Sequence, residues 1–290
     1  MTKRYASFSR RDFMRASGLA ALAGSAAGCA GRATAATRDE HEARYYEKIE
    51  DGYVRCELCP WHCVVPPGGR GRCGVRANRD GRYVSLVYGR PCAVNNDPIE
   101  KKPFFHVLPG TKALSIATVG CNIHCKFCQN WDISQAAPED VAAPYKAPGA
   151  IVHLARRMKS RTIAYTYSEP TIFFEYMTDC ARAAREAGIG NVVVSNGFIE
   201  ARPAAEYAEL MTAVKIDLKA FTESFYENVC AGRLEPVKQT LTRLADAGVW
   251  IEIVVLVIPT LNDDMDNIKR MADWIARELG PDVPLHFTRF

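Results

Sequence analysis

The chain has no long uncharged apolar run, no basic cluster beyond its first residues, and no internal repeat or low-complexity tract. The first absence excludes a transmembrane span: Ala16 to Ala27 is the nearest thing to one, and it is too short and too Gly-rich to cross a bilayer. The second excludes a nucleic-acid partner, which needs Lys and Arg gathered on one face. Lys3, Arg4, Arg10, Arg11, Arg15 and Arg32 stand against Asp12 alone in residues 1–36, so the formal charge of +4 belongs to that segment and the rest is about neutral. The third excludes a stacked-repeat architecture. What is present is 290 residues with 48% hydrophobic content, enough core for one large α/β domain or two modest ones.

Cysteine is plentiful, at 11 residues. Seven fall in two tight groups, a spacing that surrounds a metal centre more readily than it staples distant loops. Cys92, Cys180 and Cys230 stand alone. Cys180, on an amphipathic stretch, reads as a small core residue, and Cys92 and Cys230 as loop thiols near an open face.

Ser9-Arg10-Arg11-Asp12-Phe13-Met14, followed by the Ala- and Gly-rich run, resembles a twin-arginine export signal over residues 1–36. Ala33-Thr34-Ala35 offers a small-residue peptidase site, while Ala26-Ala27-Gly28-Cys29 offers a loose lipoprotein box with Cys29 as the acylated residue. Such a signal implies delivery to the periplasm or cell envelope. Without a working signal the chain stays cytoplasmic.

Residues 37–110 open on a polar linker and become dense in Cys, Gly and Pro, with short β-like pieces such as Tyr83 to Tyr88. They are expected to form a small Cys-rich, metal-binding N-terminal domain. From 111 to 290, β-rich runs at 113–119, 162–167, 191–195, 213–218, 250–258 and 284–288 alternate with amphipathic stretches near 148–159, 171–187, 201–211, 234–247 and 265–279. That alternation predicts an α/β fold with a parallel sheet and helical crossovers, either an incomplete barrel or a doubly wound sheet. Chemistry is then expected beyond the carboxyl ends of the strands. The notable residues fall there: Cys121 after strand one, Glu169 after strand two, Ser195 and Asn196 at the end of strand three, Asp217 and Lys219 at the end of strand four. Glu100 and His106, beside Lys101 and Lys102, read as lining a cleft between domains or as a solvated charged turn.

Cys121, Cys125 and Cys128 make C-x3-C-x2-C in a loop directly after a strand. Three thiolates can hold three irons of a 4Fe-4S cluster and leave the fourth open to the amino and carboxylate groups of S-adenosylmethionine. Zinc needs four ligands, and His124 is crowded between two of the cysteines.

Here the chain resembles the radical S-adenosylmethionine (radical SAM) superfamily, and within it the activases related to pyruvate formate-lyase activating enzyme, looking closest to the AmmeMemoRadiSam branch. The resemblance runs from Tyr45 to Phe290. It is carried by Cys56-Glu57-Leu58-Cys59-Pro60-Trp61-His62-Cys63, Gly71 to Arg76, Asp97 to Pro103, the cysteine loop with Asn130-Trp131, Tyr165 to Thr171, Ser195 to Phe198, and Lys215 to Lys219. It implies a partial (β/α)6 TIM-like barrel with a Cys-rich N-terminal domain. It also implies that Glu169 holds the methionine amino group, that Ser195 and Asn196 meet methionine and ribose, that Asp217 and Lys219 lie near the cosubstrate carboxylate, and that Val257 to Leu261 pack beside adenine. Glu169 also reads as a helix N-terminal charge, Ser195 and Asn196 as a strand-end turn, and Asp217 with Lys219 as a surface ion pair. Val194 stands where many activases are acidic, so a monovalent-cation site like theirs is not expected. Relatives of this kind continue past a sixth strand, so a chain ending at Phe290 reads as shortened.

Cys56, Cys59, Cys63 and Cys73 supply four thiolates and no open position, which fits zinc or an auxiliary iron-sulfur cluster, with two disulfides as the alternative in an oxidising compartment. The function these features point to is reductive cleavage of S-adenosylmethionine to a 5′-deoxyadenosyl radical that abstracts hydrogen from a substrate. Flavodoxin or ferredoxin would be the electron donor. Activation of a glycyl-radical protein is one alternative; an exported, non-catalytic iron-sulfur or electron-transfer protein is another.

Overall fold

Six β-rich segments become consecutive parallel strands, the first five largely buried on both faces, as crossover helices require, and the last partly exposed at the sheet edge. The computed structural model describes residues 40–290; the expected export signal, its candidate peptidase site and Cys29 lie outside them. Strands β1 (His41–Glu42), β2 (Tyr46–Lys48), β3 (Val54–Cys56), β4 (Val64–Val65), β5 (Arg76–Arg79) and β6 (Arg82–Ser85) form two small antiparallel sheets, ordered β1-β6-β5 and β2-β3-β4. The Asn78 amide joins them, donating to the carbonyls of Gly52 and Val65 at 2.8 and 2.9 Å.

The main sheet has seven strands, β7 (Ala93–Pro98), β8 (Lys112–Ala117), β9 (Thr162–Tyr165), β10 (Gly190–Ser195), β11 (Ala213–Asp217), β12 (Trp250–Val257) and β13 (Leu285–Arg289). They lie side by side in chain order without reversal. A doubly wound sheet reverses its order at a switch point, so this is the singly wound arrangement of a barrel, left open because β13 and β7 do not pair. Strands β8 to β13 are parallel; β7 is antiparallel to β8 and was not anticipated. Helices α1 (Pro148–Arg157), α2 (Phe174–Glu186), α3 (Ala201–Leu210), α4 (Leu234–Asp246) and α5 (Met265–Glu278) supply the crossovers. Proline starts α1, and the Asp264 carboxylate caps α5 by accepting from the Asn267 N–H at 2.9 Å. Among the described residues, no helix is long and apolar enough to cross a membrane.

Small side chains on the lumen face, Ala113, Ala164 and Ala213 with Val192, leave the amino-terminal end of the barrel wide. Ile99, Phe104 and Val107 fill it as a plug. On the outer face, the residues around Cys56, Leu58 and Val65 join one apolar core with the helices and the barrel. A buried ion pair runs through that junction. Arg76 meets Glu175 of α2 in a two-pronged pair at 2.9 and 3.0 Å and donates to the Arg44 carbonyl at 2.7 Å.

Candidate active site at the carboxyl ends of the strands

The chain leaves β8 through Gly120 and turns into the cysteine loop, which the barrel holds by its backbone. His124 N–H donates to the Cys230 carbonyl and Lys126 N–H to the Val229 carbonyl, both at 2.9 Å, while Gly120 N–H reaches the Ile133 carbonyl at 2.9 Å. Cys121, Cys125 and Cys128 thereby line one cavity of about 520 Å³, together with Glu169, Ser195, Asn196, Asp217 and Lys219. That volume is in the range of small-molecule sites. The three thiols differ electrostatically. A hydrogen bond with the Cys230 thiol draws Cys125 down to about 7, against burial and with help from the Lys219 charge. Burial, with the negative charge of Glu169, pushes Cys121 well up. Cys128 lies 3.3 Å from the Ser134 hydroxyl.

Glu169 is almost fully buried. Its Oε1 accepts from Thr171 N–H (3.0 Å), Thr171 Oγ1 (2.7 Å) and Ser195 Oγ (2.8 Å), and its Oε2 from Asn196 N–H (2.8 Å). It therefore caps the short helix Pro170–Phe173, the helix N-terminal charge expected of it, while also lining the cavity. Burial raises its pKa even though four donors oppose the shift. With a single donor, Oε2 keeps accepting capacity on a carboxylate that its neighbours have already fixed in place.

Asn196 ties the acid to the thiols. Its Nδ2 donates to Asn122 Oδ1 at 2.9 Å and lies 3.8 Å from Cys121 Sγ, while its Oδ1 accepts from Phe198 N–H at 2.8 Å. Asp217 sits between Lys215 and Lys219, hydrogen-bonded to the first and 3.5 Å from the second. Although burial opposes ionisation, those two ammonium groups hold Asp217 below its ordinary range, and Asp217 with the nearby thiols raises Lys219. Both lysines line the cavity, so this pair faces the site rather than bulk solvent. None of Val257 to Leu261 lines the cavity. Strand alternation gives that wall to Val254 and Leu256 instead.

Cys56, Cys59, Cys63 and Cys73 converge, with Trp61, Arg76 and Tyr83, on a separate void of about 10 Å³. Burial raises the Cys56 and Cys59 thiols and brings Cys73 to about 11, so bare thiolates are disfavoured there without a cation. Arg72 N–H points at Cys63 Sγ, 3.4 Å away. The two cysteine groups adjoin. A Cβ on Gly120, at φ +95°, would fall 2.6 Å from Val75 Cγ1 and 2.8 Å from the Cys73 carbonyl oxygen. Trp61 Nε1 donates to the Asn122 carbonyl at 2.6 Å, bracing the loop from the same side.

Three features escaped the sequence. Cys230 is buried against Cys125 rather than on a loop at the open face, because the π-helical turn Tyr226–Cys230 folds it under the cysteine loop. Lys102 is a buried cation that reaches Asp97 Oδ2 at 2.7 Å and lies 4.0 Å from the centre of the Tyr167 ring. Lys101 and Lys102 line the cavity, whereas His106 meets Glu252 and His286 away from it. Cys180 is in the core, as its position on an amphipathic helix suggested. The only sequence sign for Lys102 was its place directly before Pro103; nothing local marks Cys230.

The family description "Radical SAM superfamily" matches residues 115–275. An uncharacterised protein of Methanocaldococcus jannaschii is 42% identical over 249 residues, covering 86% of this chain and 74% of that protein. Among solved structures, a domain of a pyruvate-formate lyase-activating enzyme from Bacteroides vulgatus shows 23% identity and a TM-score of 0.40, covering 42% of this chain and 75% of that one. QueE from Escherichia coli shows 15% identity and a TM-score of 0.46, covering 69% and 84%.

Proposed function

Because the chain belongs to the radical SAM superfamily, which implies a 4Fe-4S cluster and S-adenosylmethionine, we propose that Cys121, Cys125 and Cys128 hold that cluster and that the cavity beside them holds the cosubstrate. The observation that carries this reading is the fixed chain Glu169–Asn196–Cys121, which sets a buried carboxylate beside a thiol in one cavity. When bound, the cluster supplies the electron that splits S-adenosylmethionine into methionine and a 5′-deoxyadenosyl radical. The residues do the positioning. Glu169 Oε2 accepts from the methionine ammonium, Ser195 and Asn196 hold Glu169 and face methionine and ribose, and Lys219 offers a cation to the carboxylate while Asp217 keeps it charged. Val254 and Leu256 provide an apolar wall.

The Cys56 group is a closed four-thiolate site. Four converging thiolates with no open position are the donor set of a structural zinc ion, our first choice, or of an auxiliary iron-sulfur cluster. The AmmeMemoRadiSam branch remains the subfamily whose motifs the sequence most resembles. Activation of a glycyl-radical protein is the second reading, supported by the open sheet, whose free edge leaves Thr288 and Arg289 both exposed and lining the cavity.

Anaerobically reconstituted protein, reduced with dithionite and given S-adenosylmethionine, is expected to release 5′-deoxyadenosine and methionine, and Cys125→Ala to abolish both. A fully loaded cluster that releases neither overturns the reading. We also propose twin-arginine export: Arg10→Lys with Arg11→Lys is expected to retain the chain in the cytoplasm, and unchanged fractionation contradicts it.

A further inference from the structure

At the amino-terminal ends of β12 and β13, away from the cysteine cavity, a carboxylate and two imidazoles meet. Glu252 is fully buried within an otherwise apolar strand. Its Oε2 lies 2.8 Å from His286 Nε2 and 3.3 Å from His106 Nδ1, and it also accepts from Phe105 N–H at 3.1 Å. Its Oε1 accepts from His106 N–H at 3.0 Å and faces Trp250 Nε1 at 3.4 Å. The two imidazole rings are 5.7 Å apart and 30° from parallel, and the three ligand atoms all lie within 4.8 Å of one another. Lys215, the register partner of Glu252 on β11, turns its ammonium to Asp217 and leaves this carboxylate to the histidines.

As hydrogen bonding alone, the arrangement is crowded: three donors aim at one carboxylate oxygen that has two lone pairs. With a cation between them, both histidines become neutral ligands, and the carboxylate keeps its amide donors as the outer bonds that orient it. Nitrogen and oxygen ligands sit about 2.0–2.2 Å from a zinc ion. Ligand atoms 2.8 and 3.3 Å apart need only small shifts to surround one. Two histidines and one carboxylate form a recurrent donor set for zinc and ferrous ions.

We propose that His106, Glu252 and His286 form a binding site for a divalent transition-metal ion of the zinc class, with a fourth position open to water beside the half-exposed His106. The ion's place in the fold gives it a structural role. His106 belongs to the segment that closes the barrel and His286 to its last strand, so the metal fastens the plug to the open edge. The site uses none of the residues assigned to the cluster or to S-adenosylmethionine, so its test does not depend on turnover.

The test uses the full chain with its iron-sulfur cluster reconstituted, stripped of loosely bound metal by chelator and titrated anaerobically with Co²⁺, then separately with Zn²⁺. The expected result is one equivalent of Co²⁺ giving ligand-field absorption without thiolate charge transfer, and a thermal midpoint that rises with Zn²⁺. His286→Ala and His106→Ala are each expected to weaken Co²⁺ binding by about a hundredfold or more. His106 is half-exposed, so its variant is expected to fold and decides the matter if His286→Ala does not. No Co²⁺ binding, absorption that carries only thiolate charge transfer, or a titration unchanged in His106→Ala overturns the proposal.

Discussion

Gly120 concentrates two demands in one residue. It takes a φ of +95°, outside the range comfortable for a side chain, and a β-carbon there would collide with Val75 and the Cys73 carbonyl. Gly120→Ala therefore has to bend the loop or separate the two cysteine groups. The expected cost is about 1–3 kcal/mol in stability. A fall in bound iron per chain, measured beside the unfolding midpoint in denaturant, is expected with it. An alanine variant with wild-type iron and midpoint would show that the approach is not tight. The φ and the neighbour both come from tertiary structure, so the sequence showed a glycine before a cysteine and nothing more.

At the scale of an element, the plug is held by Asp97 at the end of β7, which pairs with Lys101 and Lys102 and accepts from the Tyr167 hydroxyl. Burial works against ionisation of Asp97, but these partners hold it well below the usual carboxylate range. Its contribution is therefore complete above its unfolded pKa, about 3.9, and fades as pH falls through the depressed folded value. Asp97→Asn is expected to cost about 3–5 kcal/mol at neutral pH, because buried Lys102 loses its counter-charge. The gap from wild type should hold from pH 7 to about 5 and close below about 4. A gap that widens on acidification would contradict the assignment.

The elements themselves were readable wherever a segment carries its own signal. Five of the six parallel strands, β8 to β12, are mostly apolar and buried on both faces, and α2, α4 and α5 end at Gly188, Gly248 and Gly280 as the sequence indicates. Strand β7 was missed because Ala93-Val94-Asn95-Asn96-Asp97-Pro98 is polar and proline-terminated, which an edge strand tolerates and a pattern search discounts. The cysteine spacing marked the site, and strand-end placement gathered Glu169, Ser195, Asn196, Asp217 and Lys219 around it. The contacts of Cys125 with Cys230 and of His106 with Glu252 join residues more than a hundred positions apart, and no local pattern encodes them. A lone acid inside the apolar run Trp250–Val257 was the one available hint.

For the whole molecule, the described residues 40–290 belong to a single compact unit, and one apolar core runs from Val54 and Leu58 to the barrel helices. Unfolding is therefore expected to be one transition, with tryptophan fluorescence and far-ultraviolet circular dichroism sharing a midpoint. Once loosely bound metal has been stripped by chelator, a Cys121, Cys125 and Cys128 triple Ala variant is expected to retain about one zinc per chain at Cys56 to Cys73, and removing that zinc should lower the shared midpoint without splitting the transition. Two separated midpoints would mean that the cysteine-rich segment melts on its own.

The plug also gives the barrel a floor. Ile99, Phe104 and Val107 pack into the end remote from the cysteine loop, so the barrel axis is filled there by apolar side chains. The radical proposed to form beside Cys125 would then meet solvent chiefly at the mouth or along the open side of the sheet. A ligand seated there would act as a stopper as well as a reactant.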